Sequence, residues 1–131
     1  MFTISQIKET HAKVKSGADF PNYVQELIKL GVLSYENHVS DGRTLYHGKN
    51  EYQIQSDAKY AIMPIAEQSN KIQFQQDLKA HQQGKTNYPT FCSDCAKSGI
   101  EKWIVDTAKM TCTYHDKAGN TILTETIPKP H

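Results

Sequence analysis

The stretch that decides the fold is DFPNY at residues 19–23, which recurs 68 positions later as NYPTF at residues 87–91. In each copy a side chain that accepts hydrogen bonds from free N–H groups, Asp19 or Asn87, stands two residues before a proline. This order is typical of a helix start. Further pairs continue at the same offset: Lys29 and Lys97, Gly31 and Gly99, Val32 and Ile100, Tyr35 and Trp103, and Tyr46-His47 and Tyr114-His115.

The same pattern predicts where both helices end. Gly31 and Gly99 suit the left-handed residue that follows a helix, and Lys29 and Lys97 fall in the last turn, where a cation complements the helix dipole. We therefore predict an internally duplicated unit within a single domain. The domain covers 1–131, with pseudo-repeats at about 3–55 and 69–127 joined by a connector at 56–68.

Hydrophobic periodicity predicts the elements of each half. The predicted helices are 3–16, 20–30, 69–81 and 88–98, and the predicted strands are 33–39, 44–47, 52–55, 103–106, 110–115 and 121–127. This ααβββ order, with short connections between strands, favours an α+β fold in which helices pack on one face of an antiparallel sheet. Whether the two strand triplets join into one sheet stays open.

Composition restricts the kind of partner. The 131 residues carry 15 basic and 14 acidic side chains and a net charge of +1, which gives no electrostatic footprint for nucleic acid. No apolar run approaches the roughly 20 residues that cross a membrane, and no signal peptide is recognisable. Three cysteines, an odd number, favour reduced thiols. We expect a cytoplasmic protein that binds neither nucleic acid nor membrane, of unknown oligomeric state.

Three motifs stand together in the second half of the chain: Phe74-x3-Leu78-x2-His81-x2-Gly84-Lys85-Thr86-x-Tyr88-Pro89, Gly99-Ile100-x2-Trp103 and Thr111-Cys112-Thr113-Tyr114. At these residues the chain resembles the YdfO-like family of small bacterial proteins, often encoded in prophages. The resemblance implies no established activity. The label of phage envelope protein that some members carry corresponds to no site in this sequence.

Four residues, Cys92, Cys95, Cys112 and His115, have the linear spacing of a zinc site. However, Cys92 and Cys95 occupy helical positions that are apolar in the first half of the chain, and buried cysteine behaves as a small hydrophobe. Cys112 and His115 lie three apart in a predicted strand, so their side chains point to opposite faces. We expect packing cysteines and no bound metal, with a zinc site as the alternative.

The pair Cys92 and Cys95 also has the spacing of a redox motif, in which a helix N-terminus lowers the pKa of the first thiol. Here the predicted helix start at Asn87 leaves Cys92 beyond the first turn, where the dipole has little effect. Residues 84–86, Gly-Lys-Thr, are similar to the end of a phosphate-binding loop but lack its earlier glycine and its preceding strand. We expect no cofactor.

Two histidines, His11 and His81, fall near the end of the first helix of each half. They could meet in a cleft between the halves, where a general acid or base would have Asp19, Lys85 or Tyr88 nearby. The simpler hypothesis is that each imidazole bonds a loop carbonyl and fixes the turn between two helices.

A one-sided sheet leaves one face in solvent, so Tyr46, His47, Tyr114 and His115 form a candidate sheet surface for a partner. Tyr35 and Trp103, at one equivalent position, are predicted to be core. We expect a noncatalytic accessory protein of bacterial or prophage origin that binds a protein or a small ligand. The alternative is a small enzyme or ligand sensor with a cleft around His11 and His81.

Overall fold

The structure, a computed structural model, describes residues 2–14 and 19–127. The helices are α1 (Ile4–His11), α2 (Phe20–Leu30), α3 (Lys71–Gln82) and α4 (Tyr88–Lys97). The strands are β1 (Ser34–His38), β2 (Thr44–His47), β3 (Gln53–Gln55), β4 (Ile100–Asp106), β5 (Thr111–Asp116) and β6 (Thr121–Thr126), and a short 3₁₀ turn covers Lys49–Glu51. The α+β class is confirmed. Among residues 2–14 and 19–127, none of the helices could span a lipid bilayer.

The six strands form one antiparallel sheet in the order β3-β2-β1-β4-β5-β6. The two triplets therefore join through β1 and β4, which settles the question left open above. The antiparallel pairing of β1 with β4 places Glu36 opposite Ile104, and these two positions are 68 residues apart in the chain. The neighbouring pair in the same register is Asn37 and Trp103. A twofold axis between two equivalent halves would produce this register. The duplication itself stays a prediction.

Helix starts follow the predicted chemistry in one half but not in the other. The Asn87 side chain accepts a hydrogen bond of 2.9 Å from the backbone N–H of Thr90 at the start of α4, as predicted. Asp19 stands at the equivalent position of α2, but there its carboxylate makes no capping bond to the described helix. The reason is the backbone of Asp19, which is already helical (φ −86°, ψ −9°), whereas a capping residue is normally extended.

Both helix ends contain the predicted left-handed glycine. Gly31 ends α2 with φ +100°, and Gly99 follows α4 with φ +79°. Gly99 is also tightly packed, because an added Cβ atom would lie 2.7 Å from the backbone oxygen of Gln68. The connector before α3 therefore passes directly over the end of α4.

The first helix is shorter than predicted. It ends at His11, because the N–H groups of Lys13 and Val14 bond to carbonyls three residues back rather than four. The remainder of the predicted helix, 15–16, lies outside the described residues. In the second half β4 begins at Ile100, earlier than predicted, and an irregularity between Ile100 and Lys102 lets the strand continue.

The core lies between the helices and one face of the sheet. Phe74 of α3 packs on Tyr114 of β5 with ring centroids 4.8 Å apart, and Phe91 of α4 packs on Trp103 of β4 at 5.7 Å. Tyr35 and Trp103 are 4% and 7% exposed, so their predicted burial is confirmed. The helices pair within each half, α1 with α2 and α3 with α4.

Candidate functional site: the open face of the sheet

The face of the sheet that turns away from the helices carries three rows of side chains that cross the strands. We call these rows the open face. Cross-strand pairing gives the rows as Gln53, His47, Ser34, Asp106, Thr111 and Thr126, then Gln55, Leu45, Glu36, Ile104, Thr113 and Thr124, then His38, Lys102, His115 and Thr121. Three of the six histidines of the chain lie on it.

A small charge cluster marks the centre of the open face. The Glu36 carboxylate lies 3.6 Å from the Lys102 ammonium group through Oε1 and 3.8 Å from Nε2 of His47 through Oε2. The three side chains are only 20–34% exposed, so they shield one another from water. The ion pair between Glu36 and Lys102 contributes at most about 1 kcal/mol of stability.

A second histidine, His38, borders this cluster. Its partial burial lowers its pKa, and the positive charge of Arg43 lowers it further. Arg43 is itself held by Asp41 through a bond of 2.9 Å between Nη1 and Oδ2. The His38 imidazole is consequently neutral at neutral pH, where it can offer one hydrogen-bond donor and one acceptor without a charge.

Two apolar side chains interrupt this polar surface. Leu45 and Ile104 flank Glu36 in the central row, are partly exposed, and do not belong to the hydrophobic core or to the side chains that pack against it. Beyond them the row continues with short hydroxyl side chains, and the Thr113 and Thr124 hydroxyl oxygens lie 3.3 Å apart. The open face thus combines apolar, charged and hydroxyl groups.

The candidate sheet surface predicted from sequence is divided between the two faces. Tyr46 and Tyr114 are each 6% exposed and belong to the core, so they are not available as surface aromatics. Strand alternation explains this outcome, because adjacent residues point to opposite faces. His47 and His115 are half-buried and lie on the open face.

The predicted histidine pair is placed on two separate helix pairs. His11 packs edge-on against Tyr23 with ring centroids 5.4 Å apart. Although the residue as a whole is exposed, partial desolvation of its ring lowers its pKa, and Lys59 adds a smaller effect in the same direction. Asp19 lies nearby, in the wall of a cavity of about 230 Å³ between α1 and α2 that Thr10 and Tyr23 also line.

His81 has partners of its own in the other half. Its ring stacks on Phe91 at 4.5 Å and 11°, and its Nδ1 lies 3.3 Å from the Thr86 carbonyl oxygen. Lys85 continues this helix-ending turn, its backbone N–H bonded to Ala80. No hydrogen bond or ring contact among the described residues joins His11 to His81. The arrangement around His81 is that of a turn-fixing residue.

A cluster of hydroxyl and thiol groups that no sequence pattern predicts lies between α4 and the connector. The Tyr60 and Tyr88 hydroxyls and the Lys59 ammonium group lie close enough to the Cys92 thiol to lower its pKa slightly. Tyr60 comes from the connector, which has no periodic pattern, so no sequence signal places it there. Tyr88 is 41% exposed as a residue, and partial burial of its hydroxyl raises its pKa.

The three thiols are buried and form no disulfide. Burial raises the pKa of Cys92 against smaller opposing effects from Tyr60, Tyr88 and Lys59. Burial also raises the pKa of Cys95 and takes that of Cys112 to about 12. Because the thiolate is the nucleophile and the metal ligand, these thiols are poorly suited to either role.

The described residues contain no group of three or more His, Cys, Asp or Glu side chains placed to hold a metal ion. Cys112 faces the core, at 6% exposure, whereas His115 lies on the open face. The four residues of the alternative zinc site are thus divided between the two sides of the sheet.

The larger cavity, of about 390 Å³, lies at the far edge of the sheet between α3 and β6. Leu78 and Leu123 form its apolar part, and Lys79 and Glu125 are its charged residues. Neither this groove nor the cavity beside Asp19 opens on the centre of the open face.

The fold and these surfaces define an α+β protein with two helix pairs on one side of a six-stranded antiparallel sheet and a mixed polar face on the other. A family described as a protein of unknown function, DUF1398, matches residues 8–126, so the chain belongs to that family. No curated protein matches the chain.

Proposed function

We propose that this chain is a noncatalytic binding protein that contacts a partner protein through the open face. The observation that carries the proposal is the position of Leu45 and Ile104, two apolar side chains outside the core that flank Glu36 at the middle of a sheet face. Apolar groups at the centre of a polar surface are the usual composition of a protein contact.

A protein fits this surface better than a small molecule does. Small ligands bind in concave sites that bury most of their surface. The two cavities described above lie elsewhere, and the open face consists of rows of side chains that cross the sheet between β3 and β6. A partner would therefore contact many strands at once.

The charge of the open face indicates the chemistry of that partner. The open face carries two carboxylates, Glu36 and Asp106, and one ammonium group, Lys102, and the uncharged His38 adds hydrogen-bonding capacity. No excess of positive charge attracts a phosphate backbone. The complementary surface is that of a protein with little net charge, rich in hydroxyl and amide groups and with a small apolar centre.

The chemistry of the interior supports a noncatalytic role. Raised pKa values keep the thiols of Cys92, Cys95 and Cys112 protonated at neutral pH. The His81 ring is engaged with Phe91 and Thr86. A nucleophile with an activating base is the minimum for covalent catalysis, and neither group is set up for that role.

The same proposal includes the finer expectations drawn from the sequence. We place the chain among YdfO-like accessory proteins of bacteria or their prophages, acting in the cytoplasm. The enzyme or sensor built around His11 and His81 stays the alternative, which would need the two helix pairs to enclose a shared ligand.

Site-specific photo-crosslinking tests the proposal. A photoreactive phenylalanine is placed at Thr113, on the open face, and at Gln76, on the exposed side of α3, as the matched control. We expect one protein from a lysate of the source cell to crosslink from position 113 and not from 76.

That partner is then purified, and its affinity for Ile104→Lys and for the control Gln76→Lys is measured by calorimetry. A lysine at the centre of the interface should weaken binding by about a hundredfold, while the control is unchanged. Equal crosslinking from both positions, or full affinity of Ile104→Lys, would contradict the proposal. Thermal melting of each variant shows that its fold is intact.

A further inference from the structure

The two edges of the sheet differ in length and protection. The β3 edge is three residues long, Gln53–Gln55, which is too short to pair extensively. The β6 edge is six residues long, Thr121–Thr126, and Glu125 is its only charged residue. A register irregularity near its start leaves Leu123–Thr126 as a regular ladder with β5. An exposed edge of this composition is a template for another strand.

The hydrogen bonds of β6 determine which of its groups face outward. Ile127 donates its N–H to the carbonyl of Met110 on the inner side, at 2.7 Å. In an antiparallel ladder such inward pairs recur at every second residue, so Glu125 and Leu123 also bond toward β5. The N–H and C=O groups of Thr124 and Thr126 therefore point to the free edge.

A groove that contains one lysine outside the ion pairs of the described residues runs beside this edge. It is the cavity of about 390 Å³ between α3 and β6. The Glu125 carboxylate accepts hydrogen bonds of 3.1 and 3.2 Å from Gln82. Lys79 lines the same groove, and in the described part of the chain it makes no ion pair. The groove thus suits a strand that carries a carboxylate and an apolar group two residues apart.

β6 itself is such a strand, because Leu123 and Glu125 lie on its helix side. We propose that two copies of this chain join antiparallel through their β6 edges, with Thr124 opposite Thr124 on the twofold axis. In this register Leu123 faces Glu125 of the second copy, whose carboxylate enters the groove beside Lys79. A register centred on Glu125 would place two carboxylates opposite each other, which is destabilising.

This dimer joins the two sheets into one continuous sheet and removes the exposed edge of each copy. It uses backbone groups of β6 and the α3 groove, whereas the partner site proposed above uses side chains of the open face. The two proposals are independent, and either can fail alone.

Sedimentation velocity from about 1 to 500 μM chain, a range that brackets micromolar dissociation constants, tests the dimer. We expect the wild type to pass from monomer to dimer across this range. Thr124→Pro removes the outward N–H without touching the inner ladder and should stay monomeric. The matched control, Thr124→Val, keeps the N–H and should dimerise as the wild type does. A wild type that is monomeric throughout overturns the proposal, as does a Thr124→Pro variant that dimerises equally well.

Charge reversal tests the register. Lys79→Glu should weaken dimerisation by about tenfold or more, since it removes a charge pair and adds a repulsion. The double variant Lys79→Glu with Glu125→Lys should recover most of the wild-type affinity. Equal dimerisation of the wild type and the single variant would overturn the proposed register. Circular dichroism and thermal melting, recorded for every variant, separate loss of pairing from loss of folding.

Discussion

The Tyr60 hydroxyl donates a hydrogen bond of 2.6 Å to the carbonyl oxygen of Val39. This bond fastens the connector to the end of β1, next to the point where Val39 itself bonds Glu101 at the start of β4. The ring of Tyr60 covers Gly42, where an added Cβ atom would lie 2.7 Å from a ring carbon. The connector therefore packs over the junction of the two strand triplets and stabilises it.

We expect Tyr60→Phe to lower the free energy of unfolding by about 1–2 kcal/mol, because the Val39 carbonyl loses its hydroxyl partner while the ring stays in place. Urea denaturation measures the change. Ile62→Ala in the same connector is the control, since Ile62 is 81% exposed, and it should change stability by less than about 0.5 kcal/mol. Equal effects of the two substitutions would contradict the role given to Tyr60.

The two helix-ending glycines should differ in their tolerance of alanine. Gly31→Ala introduces a Cβ atom at positive φ, and only Phe2 lies within 4 Å of it. We therefore expect the free energy of unfolding to fall by about 1 kcal/mol. Gly99→Ala adds a collision with the backbone of Gln68 and Ser69, which raises the expected cost to about 3 kcal/mol. Chemical denaturation of both variants gives the difference. A Gly99→Ala variant as stable as Gly31→Ala would show that the connector can move away.

Local sequence signals predicted the fold class because several helices begin or end with residues of the expected chemistry. Asn87 caps α4, and Gly31 and Gly99 end helices in the left-handed conformation. The equivalent positions of Tyr35 and Trp103 in the two halves, together with their size, correctly predicted their burial. Strand alternation was not applied at Tyr46 and Tyr114, where it gives a buried position.

Contacts between segments far apart in the chain could not be predicted. The pairing of β1 with β4 depends on the register of Glu36 with Ile104, which no local pattern encodes. The approach of Tyr60 to Cys92 depends on the path of an aperiodic connector. The open face was predicted only as a solvated side of the sheet, since its rows exist only once six strands are aligned.

Substitution of His81 distinguishes a structural imidazole from a functional one. His81→Ala removes the stack on Phe91 and the bond to Thr86, so a loss of about 2 kcal/mol of stability is expected. His81→Phe keeps the stack and should lose only about 1 kcal/mol, the usual value of one hydrogen bond. The control His47→Ala lies on the open face and should cost less than either. Thermal denaturation at neutral pH ranks the variants, and a fully stable His81→Ala variant would favour the alternative of a functional histidine.

The buried Cys112 thiol predicts a loss of stability in alkaline solution. Burial raises its pKa to about 12, from an ordinary value of 9.0 in the unfolded chain. Between these two values the unfolded state releases the proton while the folded state retains it, so the free energy of unfolding falls as pH rises. Each such group contributes a slope of about 1.4 kcal/mol per pH unit, and below pH 9 its contribution is constant.

Cys112→Val removes the titrating group, so its stability should fall less steeply than that of the wild type between pH 9 and 10.5. Thr113→Val, the next residue on β5 but on the open face, should leave the slope unchanged. Urea denaturation at several pH values measures the slopes, and parallel lines for the wild type and Cys112→Val would show that this thiol ionises equally well in the folded chain.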